Sequence, residues 1–352
     1  MSRVYLDHNA TTPLRAEARA AMIAAMEVTG NPSSVHAEGR AAKALVERAR
    51  AQLAAALGAE GADIVFVSGA TEGAALAMAG RGLRAADIEH DAVRAWGTGD
   101  PLPVDHDGRV TVADPSQSAL QLANSETGVI QRLPEGLAVS DLTQAFGKLP
   151  IAFNWLNCHM ALVSAHKLGG PKGIGALVMR RGTDLPAQLK GGGQEMGRRA
   201  GTENVIGIAG FGAAAEAAAR DLEAGTWDRV RVLRDGLEAL LRDGLQAMGL
   251  EAEIAGAGAE RLPNTTCLVT PGWKGETQVM QMDLAGFAVS AGSACSSGKV
   301  RASQVLRAMG YAEDEAMGAL RVSLGPETTE EEITRFATAW LTQREKRRAR
   351  AA

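Results

Sequence analysis

The sequence predicts an α/β protein with an open sheet and a ligand crevice at the carboxyl ends of its strands. Three observations lead there. Short apolar runs alternate with helix-like stretches through most of the chain, and one run ends in a small-residue turn that opens a helix. Other runs end in chemistry-bearing residues: Asn124, Asp141 and the stretch Ser164-Ala165-His166-Lys167. Polar groups gathered at strand carboxyl ends are what such a sheet presents to a ligand.

Taken in order, Tyr5 to Thr12 is an extended lead-in stopped by Pro13, and residues 16–26 have helical composition. Gly30-Asn31-Pro32-Ser33-Ser34 is a turn cluster, with Ser34 the expected cap of a long amphipathic helix that reaches Leu57 and ends at Gly58. Residues 63–67 read as a buried strand that leads into Ser68-Gly69-Ala70-Thr71-Glu72-Gly73, and 74–79 as helix. Strand, small-residue turn and helix together point free backbone N–H groups at an anion, and the Ser68 and Thr71 hydroxyls can join them. The turn is neither a Walker loop nor a dinucleotide fingerprint. An ordinary capped turn has the same composition, so both readings stay open here.

Residues 119–123 and 136–140 read as strands before Asn124 and Asp141, and the run Met160 to Val163 as the strand before Ser164. Lys167 is followed by Leu168-Gly169-Gly170-Pro171-Lys172-Gly173, so an apolar strand and a glycine-rich exit enclose it. A lysine so placed can lose hydration and become a nucleophile near neutral pH, the property needed to form an imine with a carbonyl cofactor. Solvated lysines beside loops are the common alternative. Residues 173–179 read as one more strand. A second anion-friendly loop, Gly191 to Asn204, precedes an alanine-rich helix. The character changes near Thr226, with a long charged helix at 227–248, then shorter elements at 251–254, 265–269, 276–284, 287–289 and 303–309, and a last helix from Thr329.

The length of 352 residues allows two domains, and 46% hydrophobic with 22% charged residues is ordinary for a water-soluble globular chain. The net charge of −4 points to neither nucleic acid nor membrane; the basic run from Arg344 to Arg350 reads as a solvated helix end or a docking surface for an acidic partner. No stretch is apolar and long enough for a membrane span, and the N-terminus lacks the pattern of a secretion signal. Three scattered cysteines, Cys158, Cys267 and Cys295, argue against a disulfide framework or a metal site and for a reducing, cytoplasmic location. Cys267 has apolar neighbours, whereas Cys295 lies among small residues from Ser290 to Gly298, the composition of a mobile loop that can carry a thiolate.

These blocks resemble, in order, those of the class V aminotransferase superfamily, and within it the NifS/IscS-like cysteine desulfurases. The resemblance runs through Tyr5-Leu6-Asp7, Ala10 to Pro13, Gly30 to Ser34, Ser68 to Glu72, Asn124 with Glu126-Thr127-Gly128, and Asp141 with Gln144-Ala145 and Gly147-Lys148. It continues through Ser164 to Lys167, Gly170 to Gly173, Gly191 to Glu195, Arg199 to Asn204, Gly292 to Cys295 and Arg321 to Gly325. It implies the aspartate-aminotransferase-like fold of fold type I pyridoxal-phosphate enzymes. A large mixed or parallel-sheet domain would span residues 15–245; residues 1–14 and 246–352 would form a smaller α+β domain carrying the cysteine loop.

The resemblance also implies roles. Lys167 would carry the cofactor aldehyde and later move the substrate α-proton; Asp141 would pair with the pyridine nitrogen; His90 would stack on the ring and shuttle protons. Asn124 and Gln144 would bond near the phenolic oxygen, and Ala70, Thr71, Ser164 and His166 would hold the phosphate. Thr202 would reach the phosphate of a second subunit, which implies a homodimer. Arg321, with Asn124 beside it, would bind the substrate carboxylate, a task suited to a guanidinium fork. Cys295 would take sulfur from L-cysteine as a persulfide for an acceptor or iron–sulfur scaffold protein, with transient cluster ligation a further option; no resident metal is expected. On pattern alone the helix-cap reading of Asp141 wins, an ion pair is the default for Arg321, and His90 also reads as a satisfied strand-end histidine.

Three places depart from the family. Ala75 stands where an Asn is usual, His159 where an Asp is usual, and the segments from Thr71 to Asn124 are short. These departures keep two rivals in view: a related lyase or aminotransferase such as a selenocysteine lyase, and a weakly active cofactor-binding paralogue that serves as a partner-binding subunit.

Overall fold

A computed structural model describes residues 3–250, 253–292 and 302–351. The chain opens with β1 (Val4–Tyr5), α1 (Ala16–Met26), α2 (Ala37–Leu57), β2 (Asp63–Val67), α3 (Ala70–Met78), α4 (Asp91–Arg94), β3 (Ala119–Gln121), β4 (Leu137–Asp141), β5 (Cys158–Ser164), β6 (Gly175–Met179) and α5 (Val205–Glu223). It continues with α6 (Thr226–Ala247), β7 (Glu253–Ile254), β8 (Thr265–Val269), α7 (Gly275–Leu284), β9 (Phe287–Ala288) and β10 (Ser290–Ala291). Last come α8 (Gln304–Ala308), α9 (Glu313–Met317), β11 (Ala319–Ser323) and α10 (Glu330–Ala351).

The larger sheet has the order β2-β6-β5-β4-β3. β3, β4 and β5 are parallel, and β6 runs antiparallel to both β5 and β2. Four strands, β2 to β5, therefore end at the same edge, and residues 160–163 of β5 and all of β6 read as unbroken apolar runs because both faces are covered there. Alternate residues face alternate layers: Ile64, Phe66, Ala161 and Val163 pack with α2 and α5, whereas Val65, Val67 and Leu162 pack with α3. The α2–α5 contact is close because α5 carries small residues. A Cβ at Gly212 would lie 2.6 Å from the Cα of Ala49.

The second unit is the antiparallel sheet β10-β11-β8-β7 with the parallel pair β1-β9. Its core joins Leu6, Leu268, Phe287 and Val322 to Trp340 of α10 and to Trp227, Val230, Leu237 and Leu241 of α6. Grouped by shared core, α6 goes with this second unit. The left-handed Gly225 precedes α6, which lies within the 15–245 span expected for the large domain. The N-terminal lead-in stitches the units together, with β1 on β9, Asp7 bridged to Ser323, and Thr12 N donating to the His166 carbonyl at 2.8 Å.

Two local readings are corrected. The cap of α2 is His36, whose Nδ1 accepts from Gly39 N at 3.3 Å, and not Ser34. The ring nitrogen does the work of a hydroxyl there. Helix α3 begins at Ala70, inside the small-residue turn rather than after it. His159 is exposed at the start of β5, the opposite end from Ser164, so that departure lies away from the strand ends that carry the site.

Candidate active site

The strand ends and the start of α3 enclose a cavity of ≈ 540 Å³. Val67 and Ser164 both pair with Gly175, which sets the turn before α3 beside the end of β5. A Cβ at Gly175 would lie 2.9 Å from the Cα of Gly69, so only glycine admits this approach. The cap residue of α3 is Gly69, with no side-chain acceptor on the first turn. Its N–H groups, carrying the positive end of the helix dipole, stay available to an anion.

Eight of the expected residues line this cavity: Ala70, Thr71, His90, Asp141, Gln144, Ser164, His166 and Lys167. Lys167 sits in a short 3₁₀ turn after β5, and its Nζ donates to the carbonyls of Asn9 (2.7 Å) and Ala10 (2.9 Å). Burial, and then the charge of Arg321, lower the amine from 10.5 to about 8, against the opposing pull of Asp141 and Asp7. His166 is pushed down to about 4 by burial and by Lys167, Lys172 and His90, so its ring is neutral at pH 7; Nδ1 lies 3.2 Å from Thr11 Oγ1. Asp141 ends β4 and accepts from Thr143 N at 2.8 Å. His90 caps α4, accepting from Ala92 N at 3.1 Å through Nδ1, which puts the neutral ring's proton on Nε2.

Asn124 does not line the cavity. Its Oδ1 accepts from Glu126 N, Thr127 N and Thr127 Oγ1, and its Nδ2 donates to the Ile88 carbonyl at 3.0 Å. Its carboxamide holds the turn closed. Gln144 lines the cavity with both amide ends engaged, Nε2 on the Asn9 carbonyl (2.9 Å) and Oε1 accepting from Lys148 Nζ (2.9 Å). Thr202 is exposed and lies apart from the cavity. Cys295 lies outside the described residues. Cys158 and Cys267 are buried thiols pushed up to about 12 by desolvation, a state that withholds the thiolate.

Arg321 opens on a second chamber of ≈ 380 Å³ on the other side of Lys167, which His90 and Lys167 share with the first. One guanidinium nitrogen donates to Asp7 Oδ1 at 2.8 Å and another to the Ser125 carbonyl at 3.2 Å; buried Nε has no partner among the described residues. An orphaned N–H on a buried fork is an unfilled acceptor position.

The sequence reading assigned no role to Asn9 and Lys148, although both lie in blocks it singled out. Asn9 is a buried hub: its carbonyl accepts from Lys167 and Gln144, Oδ1 accepts from Lys148 Nζ (3.0 Å) and Asn264 Nδ2 (3.1 Å), and Nδ2 reaches Thr265. Lys148 is buried with amide oxygens rather than a carboxylate as its bonded partners, and burial followed by Lys167 and Arg321 holds it well below the usual lysine range. Its place after Gln144 in a buried turn was the available signal.

The family model for aminotransferase class-V matches residues 4–93 and 110–336. The chain belongs to that family. Among its relatives, a cysteine desulfurase of Cereibacter sphaeroides is 40% identical, the match covering 96% of this chain and 94% of that one. The cysteine desulfurase NifS of Azotobacter vinelandii is 38% identical over 95% of this chain and 91% of its own. A solved NifS-like protein from Rickettsia africae superposes with a TM-score of 0.84 at 31% identity, over 96% of this chain and 98% of that one.

The residues fit pyridoxal phosphate, the cofactor of this family. An uncapped helix start and Lys172 offer a phosphate cradle, a depressed lysine offers an amine, and Asp141 offers a carboxylate. Thr143, a residue of the cavity wall, has a buried Oγ1 with no partner among the described residues.

Proposed function

We propose that the protein is a pyridoxal-phosphate-dependent cysteine desulfurase that converts L-cysteine to L-alanine and leaves the sulfur on Cys295. The observation that carries this reading is the placement of Lys167. Its amine lies between an anion cradle and a chamber headed by Arg321, with a value near 8 that lets it lose and regain a proton at neutral pH. The names of the close relatives support the substrate.

When bound, the cofactor supplies an electron sink for the charge left by removal of the α-proton. The chain's own residues do the rest. The first turn of α3, with Thr71, Ser164 and neutral His166, orients the phosphate; Asp141 keeps the pyridine nitrogen protonated; His90 covers the ring. Arg321 seats the substrate carboxylate and fixes the amino acid beside Lys167. Lys167 takes the α-proton once its amine is released. The Cys295 thiolate forms a bond to the substrate sulfur while the carbon–sulfur bond breaks, the electron pair staying with the carbon, which is protonated to alanine. Gln144 acts through Asn9, whose carbonyl it shares with Lys167.

The finer assignments belong to the same proposal: Thr202 serves the site of a second subunit in a homodimer, the persulfide passes to an acceptor protein, and the enzyme works in the cytoplasm. Among the described residues no helix is long and apolar enough to cross a membrane. L-Cysteine given to the purified holoprotein should yield alanine and a persulfide that peptide mass mapping places on Cys295. Cys295→Ala should lose alanine formation while retaining the absorbance of bound cofactor; full activity in that variant rejects the persulfide step.

A further inference from the structure

The second chamber holds a carboxyl group to which the reading above gives no task. Glu126 sits in the turn that Asn124 closes, and its side chain lines the chamber of Arg321. Ser303 Oγ donates to Oε2 at 2.6 Å. On the other side the packing is tight, since a Cβ on Gly292 would come within 3.1 Å of the same oxygen.

The charges around it do not leave room for another anion. Arg321 attracts the Glu126 carboxylate, but that guanidinium is already paired with Asp7 at 2.8 Å. Asp91 opposes ionisation of Glu126, Cys267 of β8 contributes a neutral thiol, and the chamber's other titratable residues are Asp87, Glu89, His90, Arg94 and Lys167, of which Glu89 is held well above the ordinary carboxyl range by burial. A carboxylate ligand seated against Arg321 would bring a further negative charge to a guanidinium already matched by Asp7. Like charges in a partly buried site repel strongly, and Glu126, whose charge burial already disfavours, is able to give way.

We propose that Glu126 takes up a proton from solvent when a carboxylate ligand seats against Arg321, so that ligand binding and neutralisation of this side chain are one linked event. The inference rests on the assignment of Arg321 as the carboxylate site. No covalent bond to the ligand changes; Glu126–COO⁻ and one solvent proton become Glu126–COOH. Burial has already raised this carboxyl from 4.5 to about 7, so at pH 8 it is mostly ionised in the free protein and has a proton to gain.

The test uses the holoenzyme and propionate, a carboxylate without an amine, titrated calorimetrically at pH 8 in two buffers of different ionisation enthalpy. A pH series of the dissociation constant from 6 to 9 completes it. The wild type should take up most of one proton per propionate bound, and its affinity should fall by up to about tenfold per pH unit above 7. Glu126→Gln keeps an acceptor for Ser303 and should show neither effect. The other titratable groups of the chamber are present in both proteins, so the difference between them isolates Glu126. Equal proton uptake and equal slopes in the two proteins overturn the inference while leaving Arg321 in place. Propionate binding that is undiminished by Arg321→Gln overturns the assignment of Arg321 and the inference with it.

Discussion

The two chambers that flank Lys167 are built differently. The one toward α3 is a backbone construction: an uncapped helix start, the aligned ends of β2, β4 and β5, and a glycine at 175 that lets a turn approach a strand. The one toward Arg321 is made of side-chain pairs between distant segments, Arg321 with Asp7 314 residues away, Arg321 with Ser125 196 away and Ser303 with Glu126 177 away. Backbone geometry holds an anion in one place at any pH. A chamber of coupled charges responds to pH and to each ligand charge, so the proposed function gives the first to the cofactor and the second to what enters beside it.

Lys167 sharpens this contrast most. With its amine near 8 instead of 10.5, the free-amine fraction at pH 7 is roughly 300-fold above that of an ordinary lysine. Competitive acylation of the cofactor-free protein should therefore label Lys167 with a midpoint near pH 8; a midpoint near 10 breaks the account. Arg321→Gln should come next in size. Loss of charge-assisted bonds to the substrate carboxylate costs about 1.5–3 kcal/mol, which is roughly 10- to 150-fold in kcat/KM, carried mainly by KM. A change confined to kcat would place the carboxylate elsewhere.

A further expected effect concerns stability. Glu126 is raised in the folded state, so between pH 4.5 and 7 the folded protein keeps a proton that the unfolded chain has released. Stability from this group therefore falls as pH rises through that window, and the full cost is present above 7. Glu126→Gln removes the cost. Its unfolding free energy relative to wild type should rise from pH 4.5 to 7, by up to about 3 kcal/mol at one pKa unit per 1.4 kcal/mol. A pH-independent difference in urea midpoints would mean the carboxyl is not held against its charge.

The same contrast separates what could be read in the sequence from what could not. The strand-turn-helix at 63–78 and the strand before Lys167 are local patterns, so the larger sheet and the first chamber were legible from short runs and glycines. The cap at His36 was missed because a ring nitrogen stood in for a hydroxyl. The Asn9 hub was invisible for another reason. Its partners Gln144, Lys148, Lys167, Asn264 and Thr265 come from separate parts of the chain, and no spacing announces them. Asn124 teaches the converse, since a residue in the right block can have its carboxamide committed to its own turn. The placement of α6 followed packing that composition alone leaves undetermined, its charged outer face resembling any surface helix while Val230 and Leu237 face the second core.

The most direct measurement is borohydride reduction of the purified holoprotein, followed by mass mapping of its peptides. The account expects a pyridoxyl mass on the peptide containing Lys167 and on neither Lys148 nor Lys172. A label on either of those lysines, or none at all, contradicts it.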